Sequence, residues 1–242
     1  MSPHETSARD HLYDLLKQCP VPHEQVISNL GLFLDSKSLS RILGISALYR
    51  KIIEVQGVVV EFGTRWGQNL ALFSALRGIY EPFNRHRRIV GFDTFEGFPK
   101  LHSKDGKSEM MKEGNLALTE GYQQYLEKVL GAHESLNPLS HIRRFDLYVG
   151  DATQQIDVFL KEQPHSVIAL AYFDFDLYEP TKKCLEAIRP RLTKGSVLGF
   201  DEVNDPDSPG ETLALMEALG LNNVALRRFP NVSRMSYIVI GE

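Results

Sequence analysis

The sequence predicts an α/β protein: a mostly parallel sheet, preceded by helices and closed by a C-terminal antiparallel hairpin. Three observations predict it. From Gly57 onward, short apolar runs alternate with helical segments. The runs are continuously apolar, as strands buried on both faces are. The last two runs are joined by a short segment containing Pro230-Asn231-Val232-Ser233, which suits a hairpin and is too short for a crossover.

The elements follow in order. Residues 9–55 read as helices, with Leu39, Ile42, Leu43, Tyr49, Ile52 and Ile53 roughly on one helical face. They are expected to form a helical extension over 1–56, with the sheet domain over 57–242. Parallel strands are expected at 58–60, 88–92, 147–149, 167–173 and 197–200. After the fourth strand Pro180 opens a helix, and Pro190 and Gly195 close it. Ser208-Pro209-Gly210-Glu211 reads as a capping box with proline at the first helical position, and Gly220 stops that helix. Ala225–Phe229 and Tyr237–Ile240 are the two arms of the hairpin. Residues 94–143 exceed an ordinary crossover. They begin with the loop Phe95-Glu96-Gly97-Phe98-Pro99 and carry a helical stretch over 110–131. An insertion at the C-terminal end of a strand is placed to be a substrate lid; the plainer reading is a surface elaboration.

Composition excludes several classes. The chain has 242 residues, 27 Lys and Arg against 31 Asp and Glu, and a net charge of −4. That balance leaves no basic footprint for nucleic acid. With 43% hydrophobic and 24% charged residues it reads as an ordinary globular chain rather than a disordered one. Cys19 and Cys184 have no metal or redox spacing. No apolar run approaches the ~20 residues that cross a bilayer, and no apolar stretch follows Met1–Asp10 to form a signal peptide. A cytoplasmic protein with no membrane partner is expected, and the apolar N-terminal face fits a homo-oligomer. His86, His102, His133 and the run Arg85-His86-Arg87-Arg88 read as solvated groups.

In an open parallel sheet, ligands bind beyond the carboxyl ends of the strands, where strand order reverses. The residues there are Glu61, Asp93, Asp151, Asp174 and Asp201. Adjacent carboxylates repel unless a cation or ligand donors join them. The first strand runs into Glu61-Phe62-Gly63-Thr64-Arg65-Trp66-Gly67-Gln68-Asn69. Gly63 and Gly67 allow a tight turn and close approach of the backbone to a ligand. This is not the dinucleotide fingerprint: an acid precedes the glycines and would repel a pyrophosphate, whereas it suits an ammonium group. Arg65 is a candidate for a ligand carboxylate, or a surface arginine. Asp93, followed by Thr94, is placed to accept from ribose hydroxyls. Gly150-Asp151-Ala152 is placed to accept from an adenine amino group. Ammonium, ribose and adenine together describe S-adenosylmethionine, with S-adenosylhomocysteine as product. Asp176, two residues after Asp174, is a candidate general base; a strand continuing through both would put them on one face.

Glu61-Phe62-Gly63, Gly91-Phe92-Asp93-Thr94-Phe95-Glu96-Gly97-Phe98-Pro99, Asp174-Phe175-Asp176-Leu177-Tyr178-Glu179-Pro180-Thr181 and Gly199-Phe200-Asp201-Glu202 resemble the macrocin O-methyltransferase (TylF-type) family. The resemblance spans roughly 55–204. It implies a class I methyltransferase fold, Rossmann-like with seven strands, and methylation of sugar hydroxyls in natural-product and antibiotic biosynthesis. It further implies a divalent cation, Mg2+ in the family, held here by Asp174, Asp201 and Glu202. Two features depart from the family: Arg65-Trp66 stands in reversed order, and the fifth strand ends in Asp-Glu instead of Asp-Asp. Three other readings stay open. A catechol-type O-methyltransferase needs the same carboxylates but wants a lysine base, and none closely follows Asp174. A nicotinamide oxidoreductase has only Tyr178 and Lys182 in its favour. A non-catalytic scaffold gains nothing from clustered acids.

Overall fold

The computed structural model describes residues 3–242. The chain divides into two compact units, Met1–Leu43 and Gly44–Glu242. The first holds α1 (Pro3–Lys17), short 3-10 turns at His23–Gln25 and Ile27–Phe33, and the beginning of α2 (Ser36–Arg50). The division therefore falls inside α2, whereas the sequence ends the extension at residue 56. The physical reason is burial. Ile45, Leu48, Tyr49 and Ile52 have no exposed surface and belong to the core of the larger unit, while Leu39, Leu43 and Ile53 are exposed.

The larger unit is built on seven strands. They are β1 (Val58–Phe62), β2 (Ile89–Asp93), β3 (Phe145–Val149), β4 (Ile168–Phe173), β5 (Leu192–Phe200), β6 (Arg227–Arg228) and β7 (Ser236–Val239). Their order across the sheet is β3-β2-β1-β4-β5-β7-β6. β1 to β5 run parallel, and β7 is antiparallel to both β5 and β6. The order reverses between β1 and β4, which makes their carboxyl ends the switch point. Alternation along the strands separates two cores. Val59 and Ile89 face α3 (Gln68–Tyr80), α4 (Tyr122–Leu136) and the second half of α2. Val58, Val60, Phe62, Val90 and Phe92 face α5 (Ala152–Glu162), α6 (Tyr178–Ile188) and α7 (Gly210–Leu219).

Several expected boundaries move. The helix placed at 110–131 is Tyr122–Leu136; residues 94–121 hold neither helix nor strand. Gly195 does not end a helix: it sits inside β5 at φ +92°. The first hairpin arm pairs over Arg227–Arg228 alone. Glu211 does not close a capping box on Ser208. α7 begins after Pro209 without a side-chain cap, and Glu211 instead accepts from the backbone N–H of Glu202 at 2.9 Å. Gly220 does stop α7, at φ +70°.

Arg87 is not solvated. It is 1% exposed, donates to the carbonyls of Ile52 and Val55 at 2.9 and 2.8 Å, and grips Glu81 with Nε and Nη2. A guanidinium can be buried this way because its donors meet fixed acceptors. Arg77 and Arg144 are buried as well, and both pair with Glu134. His133 is half-buried, and burial lowers its pKa. His102 packs its ring on Tyr178, with centroids 4.8 Å apart.

Candidate active site at the carboxyl ends of the strands

An aromatic ladder sets the rim. Tyr148, Phe92, Phe62, Phe173 and Phe200 lie side by side on β3, β2, β1, β4 and β5, in register from strand to strand. Neighbouring rings stack with centroids 5.1, 5.1, 4.8 and 5.2 Å apart. Such cross-strand stacking pins register. Three of the phenylalanines are followed directly by an acid: Asp93, Asp174 and Asp201. The ladder therefore holds these three carboxylates at one level above the sheet.

The loops leaving that rim are strained. Arg65, Phe95, Asp176 and Asn204 have φ of +48°, +59°, +60° and +67°, one following each of β1, β2, β4 and β5. Left-handed backbone at a non-glycine residue costs of order 1–3 kcal/mol and concentrates at functional sites. Gly63, at φ +86°, also permits a close approach within the chain. A Cβ there would lie 2.0 Å from the carbonyl oxygen of Asp174, so the exits of β1 and β4 pass each other closely. Gly67, at φ +76°, caps α3 and lies against Leu126.

The residues assigned to a cofactor line one stretch of this rim. Glu61 is 1% exposed near the end of β1. Thr64 and Asn69 are buried, and their Oγ1 and Oδ1 have no hydrogen-bond partner. Buried polar atoms are seldom left so, and a bound ligand would supply the missing partners. Asp93 accepts from the backbone of Arg65 through Oδ2 and from that of Phe95 through Oδ1, both at 2.6 Å. Burial raises its pKa, and those N–H groups oppose the rise. Asp93 thus ties the β1 and β2 loops together. Thr94 accepts from Glu96 and donates to the Gly97 carbonyl. Asp151 caps α5, accepting from Thr153 at 2.8 Å through Oδ1, next to the Gly150 turn and buried Ala152. Arg65 is exposed, and Trp66 is half exposed with its ring edge-on to Tyr122.

Asp174, Asp201 and Glu202 come together: one carboxylate oxygen from each lies within 4.8 Å of the others. The Tyr172 hydroxyl donates to Asp201 Oδ1 at 2.5 Å. Arg234, from the loop before β7, reaches Glu202 Oε1 at 3.4 Å and Asp205 at 2.5 Å. Glu202 Oε2 is buried without a hydrogen-bond partner. Burial first, then the surrounding carboxylates of Asp174, Asp201, Glu211 and Asp176, push Glu202 well above the ordinary carboxylate range. Glu211 is pushed the same way, chiefly by burial. Repelling acids with an unfilled oxygen suit a hard cation that takes oxygen ligands. The donor set thus fits a divalent cation.

Asp176 does not share a strand face with Asp174. β4 ends at Phe173, and Asp176 turns at φ +60° to lie 7% exposed, hydrogen-bonded to the Ser208 side chain. Burial raises its pKa, Arg234 opposes the rise, and Asp201 adds to it. Sequence reasoning missed Tyr172, Glu211 and Arg234. Tyr172 looks like one more apolar strand residue, Glu211 like a cap, and Arg234 like a turn residue.

The insertion docks beside this cluster. Phe98 and Met111 pack with Leu177, flanked by Leu101, Leu116 and Phe175. Asp105, 1% exposed, accepts from Tyr178 N through Oδ1 and from His102 N through Oδ2, both at 2.6 Å. Tyr178 OH donates to Glu217 at 2.6 Å, where Lys182 also binds. The Tyr178–Lys182 pair is therefore engaged by α7.

Comparison with known proteins agrees with this fold. A family profile described as a methyltransferase domain matches residues 60–203. The crystal structure of CalS11, a calicheamicin methyltransferase, is 46% identical with a TM-score of 0.98, covering 100% of this chain and 95% of that one. The apo structure of CalS11, described as a TDP-rhamnose 3'-O-methyltransferase in calicheamicin biosynthesis, is 44% identical with a TM-score of 0.89, covering 100% and 97%. The O-methyltransferase NovP, 20% identical with a TM-score of 0.61 over 83% of this chain and 79% of its own, shares the fold. No curated protein matches the chain.

Proposed function

Because this chain belongs to the methyltransferase-domain family, with the class I fold, and is an S-adenosylmethionine-dependent O-methyltransferase, we propose that it methylates a sugar hydroxyl in natural-product biosynthesis with help from a divalent cation. The observation that carries the proposal is the Asp174–Asp201–Glu202 cluster at the carboxyl ends of β4 and β5, in a chain alike over its full length to CalS11. The TDP-rhamnose in that relative's description favours a nucleotide-linked sugar over a finished glycoside as acceptor.

Asp174, Asp201 and Glu202 would hold the cation. When bound, it lowers the pKa of an acceptor hydroxyl and fixes the oxygen. The chain's own residues do the rest. Glu61 faces the ammonium of the cofactor, Asp93 and Thr94 the ribose, and Gly150, Asp151 and Ala152 the adenine. Thr64 and Asn69 turn buried, unpartnered oxygens to cofactor donors. Asp176, with its pKa raised by burial, is the group to take the hydroxyl proton. Arg234 and Asp205 border the acceptor side, and residues 94–121 act as a lid that excludes water. In-line placement of the oxygen against the methyl group supplies much of the rate.

Calorimetric titration with S-adenosylhomocysteine, with and without Mg2+, followed by methyl transfer to TDP-sugars and glycosides, tests the proposal. Micromolar or tighter binding and Mg2+-dependent transfer are expected. Asp174→Asn should abolish transfer; unchanged transfer by that variant removes the cation from the mechanism.

A further inference from the structure

We propose that Glu211, in the first turn of α7, is a fourth carboxylate of the cation site, orienting the Asp201–Glu202 turn from behind and adding its charge to the three ligands. The inference rests on the cation reading above.

Glu211 has no exposed surface. Its Oε1 accepts the Glu202 N–H at 2.9 Å. One residue on, Thr212 Oγ1 accepts the Asn204 N–H at 2.8 Å. The turn after β5 is therefore hung from α7 at two points. α7 is itself held close, since a Cβ on Gly210 would lie 2.6 Å from both Tyr178 N and Asp105 Oδ1. Glu211 is thus a rigid support for Glu202, the residue that replaces the family's second aspartate.

Support alone does not require a carboxylate, because a neutral amide oxygen accepts an N–H equally well. The second oxygen, Oε2, is buried and has no hydrogen-bond partner. An ionised carboxylate buried in that way is costly unless a cation compensates it; without one, the group holds a proton instead. The acids around it are Asp201, Asp174 and Asp176. Buried, unpartnered oxygens on both Glu202 and Glu211 mark a region short of positive charge, not of donors for the backbone.

Glu211→Gln separates the two roles, since it keeps the acceptor and removes the charge. Mg2+ binding by calorimetry and melting temperature in EDTA and in Mg2+ are compared for wild type, E211Q and D174N. E211Q should bind Mg2+ about 10- to 100-fold more weakly. Its melting temperature in EDTA should not fall below that of wild type, and its gain on adding Mg2+ should shrink. Wild-type Mg2+ affinity in E211Q overturns the inference and leaves Glu211 as scaffolding. Should E211Q not fold, Glu211→Asp carries the test: it keeps the charge but draws it back from the turn, and Mg2+ affinity must still fall. Absence of Mg2+ binding to wild type overturns the cation reading itself, and this inference with it.

Discussion

A Cβ on Gly63 would lie 2.0 Å from the Asp174 carbonyl oxygen, on a backbone at φ +86°. Gly63→Ala must therefore push the exit of β1 away from the exit of β4 or adopt a strained backbone. A loss of at least about 1–3 kcal/mol is expected from urea unfolding, together with loss of S-adenosylhomocysteine binding. Wild-type stability would mean that the two loops part freely. Tyr172 reaches the acid cluster through its hydroxyl. Its buried hydroxyl donates to Asp201 Oδ1 at 2.5 Å. Tyr172→Phe removes this donor from the carboxylate, at about 1–3 kcal/mol. It should also raise the Mg2+ concentration needed for half-maximal methyl transfer. An unchanged Mg2+ requirement would make the hydroxyl purely structural.

At the scale of elements, two devices position the site. The aromatic ladder converts register into chemistry: stacked rings on β2, β4 and β5 bring the acids that follow them to one level. The insertion is positioned differently. Without helix or strand over residues 94–121, it depends on a small apolar cluster and on Asp105, which joins it to the first turn of α6. Asp105→Ala should speed tryptic cleavage at Lys100, Lys104, Lys107 or Lys112 and raise KM for the acceptor. S-adenosylhomocysteine affinity should stay within about twofold, because the Asp105 carboxylate binds His102 and Tyr178 and none of the residues assigned to the cofactor. Unchanged proteolysis would show that the apolar cluster alone holds the loop.

Across the whole sheet, the two edges carry opposite chemistry. The carboxyl edge concentrates acids, and there Glu202 keeps a buried oxygen without a hydrogen-bond partner. The amino edge, where β1, β2 and β3 begin, holds the buried arginines Arg77, Arg87 and Arg144, each paired with a carboxylate. Such pairs are weak evidence for stability, yet breaking one strands a buried charge at about 3–5 kcal/mol. Burial would raise the pKa of Glu81, but hydrogen bonds from Arg87, Tyr49 and Asn84 outweigh it and hold the group below its ordinary 4.5. A depressed acid contributes its stability in full above its unfolded pKa and loses it as pH falls through the folded one. Melting temperature should therefore drop on acidification below about pH 4.5. Tyr49→Phe, which removes the donor 2.7 Å from Glu81 Oε2, should raise the folded pKa toward the unfolded one and so make that drop smaller. An identical acid limb in wild type and variant would take Tyr49 out of the account.

Much of this protein is legible in its sequence because much of it is local. Continuous apolar runs mark β1 to β5, since strands covered on both faces have no polar side to show. Phe-Asp occurs three times at strand ends, and that short repeat already carries both the ladder and the acids above it. The residues whose roles depend on a distant partner could not be read in this way. Glu211 matches a capping pattern over four residues, and only the packing of α7 against the turn after β5 turns it toward Glu202. Arg87 sits in a basic run that looks wet, until carbonyls from Ile52 and Val55 close around it. Asp176 would share a face with Asp174 on a straight strand, but the chain turns at φ +60° and sends it toward Ser208. Sequence period reports which face a residue takes within its own element; burial, strain and partnership arise between elements, where only the tertiary structure decides them.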